Sequence, residues 1–173
     1  TAFGRDLQAE CERLKQIVDV AHVNRAGVLE LCRLATAPVI CSHTACTHIF
    51  NSPRGLDDEQ IKAIADTGGV IGIIWSPHFL QRKGGPTDGR MVIEHMEHVI
   101  SVVGEDHVAI GTDYDGAIVP PKDLASGDTF PRVVQYMLDA GWSEARIEKV
   151  LGANFLRCWE HLRPPSSQAP WRQ

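Results

Sequence analysis

Two histidines, His22 and His43, are each the last residue of a short, mainly apolar run of the sequence. The runs are rich in β-branched residues and too short for helices, so they predict strands over residues 17–22 and 38–43. Between them, apolar side chains recur at i, i+3, i+4 and i+7, which predicts a helix over residues 25–35. A right-handed crossover of this kind makes the two strands parallel. We therefore expect both imidazoles at one rim of a sheet, and neutral imidazole is a common zinc ligand.

A third polar side chain, Asp113, directly follows a predicted strand at residues 108–112. Functional groups of barrels and of open α/β sheets collect at the carboxyl ends of the strands. A carboxylate at that rim can hold a water molecule on a metal ion or accept its proton. One histidine at a strand end is more often structural, whereas two histidines and an aspartate at matching ends favour a metal-dependent site.

The order of the predicted elements indicates α/β architecture. A further strand is predicted over residues 70–76, and helices over residues 2–15, 58–67, 90–103, 129–140 and 143–162. Asp57 and Gln60 have the spacing of a capping box before the second of these helices. A complete (βα)8 barrel takes about 250 residues, so four parallel strands with flanking helices fit half a TIM barrel or an open sheet.

Charge and hydropathy limit the partners that this chain of 173 residues can have. A formal net charge of -5 and a pI near 5.9 argue against nucleic acid or an anionic membrane surface. No apolar run approaches the roughly 20 residues that span a bilayer. The five cysteines follow no CxxC spacing, which favours buried thiols in a reducing compartment. Without a basic-then-apolar leader, these features predict a cytoplasmic protein.

Other polar side chains are weaker candidates. His95 and His98 fall away from the apolar stripe of a predicted helix, or at its edge, and are predicted to be solvated. His48 and His78 lie in rim loops, where plain exposure is more common than contact with a substrate. From spacing alone, Arg54 is also predicted to be a solvated surface charge.

Four segments of the chain occur together in one known family. They read IVDVAHV from residue 17, APVICSHTA from residue 37, GTDYDG from residue 111 and GANFLR from residue 152. In this order and with these gaps, they resemble the carboxyl-terminal half of the membrane dipeptidase (renal dipeptidase) family of zinc peptidases. The resemblance implies half of a (βα)8 TIM barrel of the metal-dependent hydrolase type over residues 1–162, followed by a polar tail at residues 163–173.

The resemblance also implies roles for individual residues. His22 and His43 match the histidines that ligate the second zinc of a binuclear site. Asp113 matches the aspartate that faces the bridging water and the substrate's amino group, and Arg54 matches the arginine that pairs with the substrate's terminal carboxylate. A guanidinium fork suits this task because it offers two parallel donors to a carboxylate. The implied reaction is hydrolysis of a dipeptide, with two zinc ions as cofactors.

The sequence departs from the family at the first zinc. The family's His-x-Asp pair and bridging glutamate have no counterpart before His22, and two histidines with a weak carboxylate fall short of the three protein ligands of catalytic zinc. Thr1 is not an initiating methionine, and a half barrel exposes apolar edges. We therefore expect an amino-terminal half from another segment or chain, or self-association. Trp75, His78 and Phe79 stand where the family has a tyrosine.

Two other functions remain open at this stage. The missing ligands favour a non-catalytic half-barrel relic or interaction module, whereas the joint presence of four matching site residues disfavours it. Another metal-dependent hydrolase of the amidohydrolase type, acting on a lactone or an amide, is the second alternative. Arg54 distinguishes the two kinds of hydrolase, because only a substrate with a terminal carboxylate requires a cation.

Overall fold

A computed structural model describes residues 1–163 as a mixed α/β structure with a parallel sheet. The strands are β1 Val18–Asp19, β2 Val39–Cys46, β3 Gly55–Leu56, β4 Ile71–Ile73 and β5 Val108–Ile110. The helices are α1 Ala2–Arg13, α2 Arg25–Leu34, α3 Asp58–Asp66, α4 Pro77–Leu80, α5 Arg90–Val103, α6 Phe130–Asp139, α7 Glu144–Glu148 and α8 Asn154–Leu162. The predicted elements are present in the predicted order. All but the first residue of the predicted polar tail lies outside the described residues, and the domain boundary at residue 162 stays a prediction.

The sheet has the order β1-β2-β4-β5, and β3 pairs with β2 outside that path. Every pairing is parallel, with Val18 opposite Val39 and Cys41 opposite Ile71. The prediction of four parallel strands is thus confirmed. β3 has no counterpart in the sequence prediction, because two residues carry no periodic signal. His78, which the sequence places in a rim loop, belongs to the short helix α4.

Side chains cover both faces of the sheet. On one face, Val39, Ile71 and Val108 belong to the main core, which includes side chains of α2, α3 and α5. On the other face, Ile40 belongs to a smaller cluster that packs against Cys158 of α8. Strands covered in this way read as nearly continuous apolar runs, which is why the sequence identifies them.

Helix boundaries follow local sequence signals where such signals exist. α5 has the predicted bounds. The predicted capping box is present at the start of α3, where Asp57 Oδ1 accepts the Gln60 N–H at 2.9 Å and Gln60 Oε1 accepts the Asp57 N–H at 3.1 Å. The predicted helix at residues 143–162 instead consists of α7, a π-helical turn at Lys149–Ala153 and α8. Buried Asn154 follows this turn and donates to two carbonyl oxygens near the start of β5.

The second predicted strand, β2, ends later than the sequence predicts, at Cys46 rather than at His43. It continues beyond His43 and contains a β-bulge between Cys41 and Thr44. The Ser42 carbonyl oxygen lies so close to the neighbouring strand that a Cβ on Gly72 would approach it to 2.2 Å. Glycine is therefore required where β4 passes the bulge.

The prediction that His95 and His98 of α5 are solvated is wrong. His95 is fully buried; its Nδ1 accepts the Cys46 N–H at 2.9 Å, and its Nε2 lies 3.0 Å from the Leu80 carbonyl oxygen. Burial lowers the pKa of His95, while the hydrogen bond to Leu80 opposes this shift. His98 is half-buried and lies 2.8 Å from the carboxylate of Asp58. α5 packs against β2, α3 and α4, so its polar edge is not free.

An apolar stripe on α1 is exposed to solvent. It consists of Phe3 and Leu7 and of Leu14, which directly follows the helix; these side chains are 75%, 53% and 47% exposed, whereas Gln8 is buried. The helix itself is confirmed, but its apolar side chains do not enter the core of this chain. On α8, Leu156 is likewise 56% exposed. Within residues 1–163, no helix is both long and apolar enough to cross a bilayer.

The cysteines are mostly buried, as their positions in apolar segments predict. Cys32, Cys41, Cys46 and Cys158 are buried and free. Burial raises the pKa of the Cys32 thiol to about 11 and that of the Cys41 thiol to about 12. These thiols are therefore protonated at neutral pH and act as apolar side chains.

Candidate functional site

His22 lies in the turn that follows β1, with a positive φ of 67°. The turn is anchored by Asp19, whose Oδ1 accepts the Ala21 N–H at 3.0 Å and the Ser42 N–H at 2.9 Å. One carboxylate oxygen thus joins the His22 turn to the backbone of β2 immediately before His43.

His43 lies in the bulged part of β2. Its Nδ1 lies 3.0 Å from Ser42 Oγ, and its Nε2 lies 2.9 Å from Nε2 of His22. The two rings meet edge to face, with centroids 4.9 Å apart and planes inclined by 65°. The structure therefore brings the two imidazoles together, as the strand pattern predicts.

The surroundings of His43 favour its neutral form. Burial lowers the pKa of His43, and the charges of Arg54 and His22 act in the same direction. The carboxylates of Asp113 and Asp19 oppose this shift. Neutral imidazole is the form that ligates a metal ion, so the low pKa suits His43 to that role.

Asp113 reaches the same place from the turn after β5. Its Oδ2 lies 3.9 Å from His43 Nε2, and its φ is positive at 57°. Gly116 donates its N–H to the Asp113 carbonyl oxygen at 3.0 Å. A Cβ at Gly116 would lie 2.1 Å from Asp113 Oδ1, so only glycine at this position leaves the carboxylate where it is.

Arg54 enters from the segment between β2 and β3. Its Nη2 lies 3.4 Å from His22 Nε2, and its guanidinium carbon lies 6.0 Å from the centroid of the Phe79 ring. Thr44 in β2 donates its hydroxyl hydrogen to the Arg54 carbonyl oxygen at 3.0 Å. Spacing alone predicts a solvated charge here, but the structure places a half-buried arginine beside the histidines. We refer to His22, His43, Arg54 and Asp113 together as the mouth.

One cavity is lined in part by residues of the mouth, and a second is lined in part by Phe79, whose ring lies near Arg54. His22, Arg54 and Gln60 help to line one of about 300 Å³. A larger cavity of about 820 Å³ lies between α4 and the loop after β5, where Phe79 and Val119 are among its lining residues. The smaller cavity therefore contains polar groups of the mouth, and the larger cavity shares the Phe79 ring that lies near Arg54.

The other rim histidines do not join the mouth. His78 lines the larger cavity, and its ring lies 4.8 Å from that of Phe79. His48 stacks on His98 at a centroid distance of 4.5 Å. Neither histidine approaches His22 as His43 does, which agrees with the lower weight that the sequence gives them.

Three supporting residues are not identified by the sequence pattern: Asp19, Ser42 and Gly116. Asp19 carries a usable signal, because an aspartate that accepts the N–H two residues later forms an Asx turn. Ser42 and Gly116 act through their contacts with His43 and Asp113, and these contacts depend on the bulge and on the turn conformation.

The donor atoms of the mouth fit an ion of the zinc type in their chemistry. Two imidazole nitrogens converge and a carboxylate lies beside them, and both groups are usual zinc ligands. Catalytic zinc takes three protein ligands and keeps an open position. Within residues 1–163, the mouth offers two nitrogen ligands and one more distant carboxylate, which is fewer than three close ligands.

A parallel α/β sheet with such groups at its rim places the chain in the class of TIM-barrel metallo-hydrolase folds. The chain resembles a crystal structure of a metallopeptidase from Rhodobacter sphaeroides liganded with a phosphinate mimic of the dipeptide L-Ala-D-Ala. The TM-score is 0.86 and the identity 32%, over 94% of this chain and 47% of that one.

Two curated proteins show the same relationship in sequence. Dipeptidase ataJ of Aspergillus terreus is 34% identical over 148 residues, which cover 85% of this chain and 36% of that protein. A Klebsiella pneumoniae protein of the pqqA 5′ region is 34% identical over 165 residues, which cover 94% of this chain and 60% of that protein.

A sequence model described as membrane dipeptidase (peptidase family M19) matches residues 1–172. The chain belongs to this family, so the resemblance carried by its four motifs is confirmed. The chain spans between 36% and 60% of the length of the two curated relatives. This coverage agrees with the prediction of half a TIM barrel.

Proposed function

We propose that the chain supplies half of the active site of a zinc-dependent dipeptidase. The observation that carries the proposal is the convergence of the four mouth residues, with His22 and His43 joined at 2.9 Å and both Arg54 and Asp113 within 4 Å of an imidazole nitrogen. Membership of the membrane dipeptidase family supports peptide hydrolysis. The dipeptide mimic bound to the Rhodobacter relative supports a dipeptide as the substrate.

In this proposal, His22 and His43 hold one ion of a zinc pair through their Nε2 atoms. When bound, zinc polarises a scissile carbonyl group and lowers the pKa of water. Ser42 Oγ, 3.0 Å from His43 Nδ1, orients the ring so that Nε2 faces the ion. The remaining ligands of the pair come from the part of the barrel that this chain does not contain.

Arg54 binds the terminal carboxylate of the dipeptide, because its planar guanidinium offers two parallel donors. The Phe79 ring supports one face of this guanidinium. Asp113 binds the substrate's ammonium group through its carboxylate and takes up a proton from the attacking water at Oδ2. In a dipeptide, the ammonium and carboxylate groups lie on opposite sides of the scissile bond, so these two residues position that bond at the histidines.

We further propose that an amino-terminal half of the barrel, from another segment or chain, or a second copy of this chain, covers the exposed apolar side chains. Phe3 and Leu7 of α1, Leu14 directly after it and Leu156 of α8 support this contact, because each is at least 47% exposed. Contiguous exposed apolar surface on a folded protein commonly marks an interface.

The test compares L-Ala-D-Ala with its carboxamide as substrates of the full, zinc-loaded protein. We expect Arg54→Met to raise the KM for L-Ala-D-Ala by at least about tenfold, since a charge-assisted hydrogen bond contributes about 1.5–3 kcal/mol. The KM for the carboxamide should not change. Arg33→Met, which removes an exposed guanidinium paired with Glu30, is the matched control.

Each alternative function has its own outcome. An unchanged KM of Arg54→Met for L-Ala-D-Ala rejects the dipeptide assignment, and in that case hydrolysis of lactones or of amides that lack a free carboxylate identifies another hydrolase of the amidohydrolase type. A full protein that hydrolyses none of these substrates identifies a non-catalytic module.

A further inference from the structure

A second group of metal-binding side chains lies outside the mouth. It consists of His48, Asp58 and His98, whose ligand atoms all lie within 4.8 Å of one another. His98 Nε2 lies 2.8 Å from Asp58 Oδ1, and the ring of His48 stacks on that of His98 with planes inclined by 11°. We name these three residues the outer triad. It shares no residue with the mouth.

Three separate elements position the outer triad. His48 lies two residues after the end of β2, Asp58 is the first residue of α3, and His98 belongs to α5. α5 packs against both α3 and β2, and the capping box fixes the backbone at the start of α3. The His98 side chain is 11% exposed, the Asp58 side chain is 45% exposed, and His48 is exposed, so the triad opens to solvent on one side.

We propose that the outer triad binds a divalent transition-metal ion of the zinc class. Two imidazoles and one carboxylate are a usual protein ligand set for such ions, and three protein ligands leave a position for water. Calcium and magnesium prefer oxygen ligands, so the two nitrogens select against them. The proposal does not depend on the activity proposed for the mouth.

Binding requires one side chain to turn. A ligated ion lies near the plane of each imidazole, so two nearly parallel stacked rings cannot hold one ion between their nitrogens. His48 is exposed and can rotate about its side-chain bonds, while His98 and Asp58 keep their positions. Ligation through His98 Nε2 replaces the contact of this nitrogen with Asp58 Oδ1.

Two residues of the outer triad, His48 and Asp58, lie at the two ends of the segment that carries Arg54. This segment leaves β2 beside His48 and reaches α3 at Asp58. An ion held by the triad closes residues 48–58 into a loop and ties the loop to α5 through His98. The three ligands restrain the Arg54 segment, and an ion that binds the folded protein but not the unfolded chain stabilises the fold.

The experiment uses Zn²⁺ alone as the probe, titrated by calorimetry into metal-free full protein that carries His22→Ala and His43→Ala. These two substitutions remove the zinc ligands of the mouth that this chain supplies. We expect one ion to bind at the outer triad and to raise the thermal midpoint of unfolding. Adding His48→Asn should lower the zinc affinity by at least about tenfold and abolish the rise in the midpoint.

His78→Asn is the matched control, because it removes another exposed histidine of the rim and should leave the zinc affinity unchanged. His48 is exposed, so its variant keeps the fold, and an unchanged far-UV circular dichroism spectrum verifies this. Asp58→Asn is the second variant and should also weaken binding. Equal zinc affinities with and without His48→Asn overturn the proposal, as does the absence of binding heat in the parent background. Dipeptide hydrolysis is not a readout, so a failure of the proposed function leaves this result interpretable.

Discussion

The carboxylate of Asp19 accepts the backbone N–H of Ser42 at 2.9 Å and thereby sets the distance between the His22 turn and β2. The same oxygen accepts the Ala21 N–H at 3.0 Å within the turn. The close approach of the two imidazoles therefore depends on a side chain that touches neither ring.

Asp19→Ala should weaken zinc binding at the mouth by about tenfold to a hundredfold, which is the usual effect of losing a group that orients ligands. Asp19→Asn keeps an oxygen that can accept both N–H groups, so it should bind zinc nearly as well as the parent. Zinc affinity of the full protein, measured by competition with a chromophoric chelator, tests this prediction. Equal losses in the two variants would show that the charge of Asp19 matters and its hydrogen bonds do not.

Gly116→Ala should lower kcat/KM for the dipeptide by about a hundredfold, the effect of displacing a functional group by about 1 Å. The reason is steric, because the new Cβ would lie 2.1 Å from Asp113 Oδ1 and must push the carboxylate away. Gly127→Ala is the matched control, since no atom lies within 4 Å of the Cβ that it adds. Steady-state kinetics of both variants provide the measurement, and similar kcat/KM values would contradict this account.

Acidification should destabilise the protein through His95. Burial lowers the pKa of His95 in the folded state, whereas an unfolded histidine titrates near about 6.5. Below that pH the unfolded state binds a proton that the folded state does not. The stability is thus complete above about pH 6.5 and is lost as the pH falls towards the folded pKa, by up to about 1.4 kcal/mol per pH unit.

Denaturant titrations of the metal-free protein between neutral pH and about pH 5 measure this loss. His95→Gln removes the titrating group and should flatten the pH dependence, although it lowers stability at every pH by breaking buried hydrogen bonds. His161→Gln changes an exposed histidine of α8 and should leave the slope as it is. A slope that survives His95→Gln would assign the loss to other groups.

The apolar stripe of α1 should control association. Replacing Phe3 and Leu7 by glutamine should weaken binding to the amino-terminal half, or between copies of this chain, because both side chains are more than half exposed. The free energy of unfolding of the isolated chain should change by less than about 0.5 kcal/mol, as is usual for surface positions. Sedimentation equilibrium measures the association, and Leu138→Gln, at an exposed leucine of α6, is the control. An association unaffected by the α1 changes would exclude this stripe from the interface.

Elements formed by interactions between residues close in the sequence are predicted well, whereas features that depend on residues far apart in the sequence are not. α5 and the capping box of Asp57 and Gln60 depend on neighbours within a few residues, so they are predicted correctly. The burial of His95 depends on the packing of α5 against β2 and α4, so a helical pattern alone gives the wrong answer. The continuation of β2 beyond His43 depends on pairing with β3 and β4, which the chain reaches only later.

The candidate site shows the same division. The positions of His22 and Asp113 after apolar runs suffice to predict that they meet at one rim. Arg54 belongs to a loop without periodicity, and spacing could not place it 3.4 Å from His22. The family motifs indicate a role for it, and the fold then provides the contact.

His22 and Asp113 share a backbone feature with a consequence for the history of this chain. Both have positive φ angles, a region that costs a residue with a side chain roughly 1 kcal/mol and glycine almost nothing. A glycine at either position would relax the backbone and delete the functional group in the same step. If selection acted on folding alone, substitutions at His22 and Asp113 would therefore accumulate early, because replacing either functional side chain by glycine increases the stability of the fold.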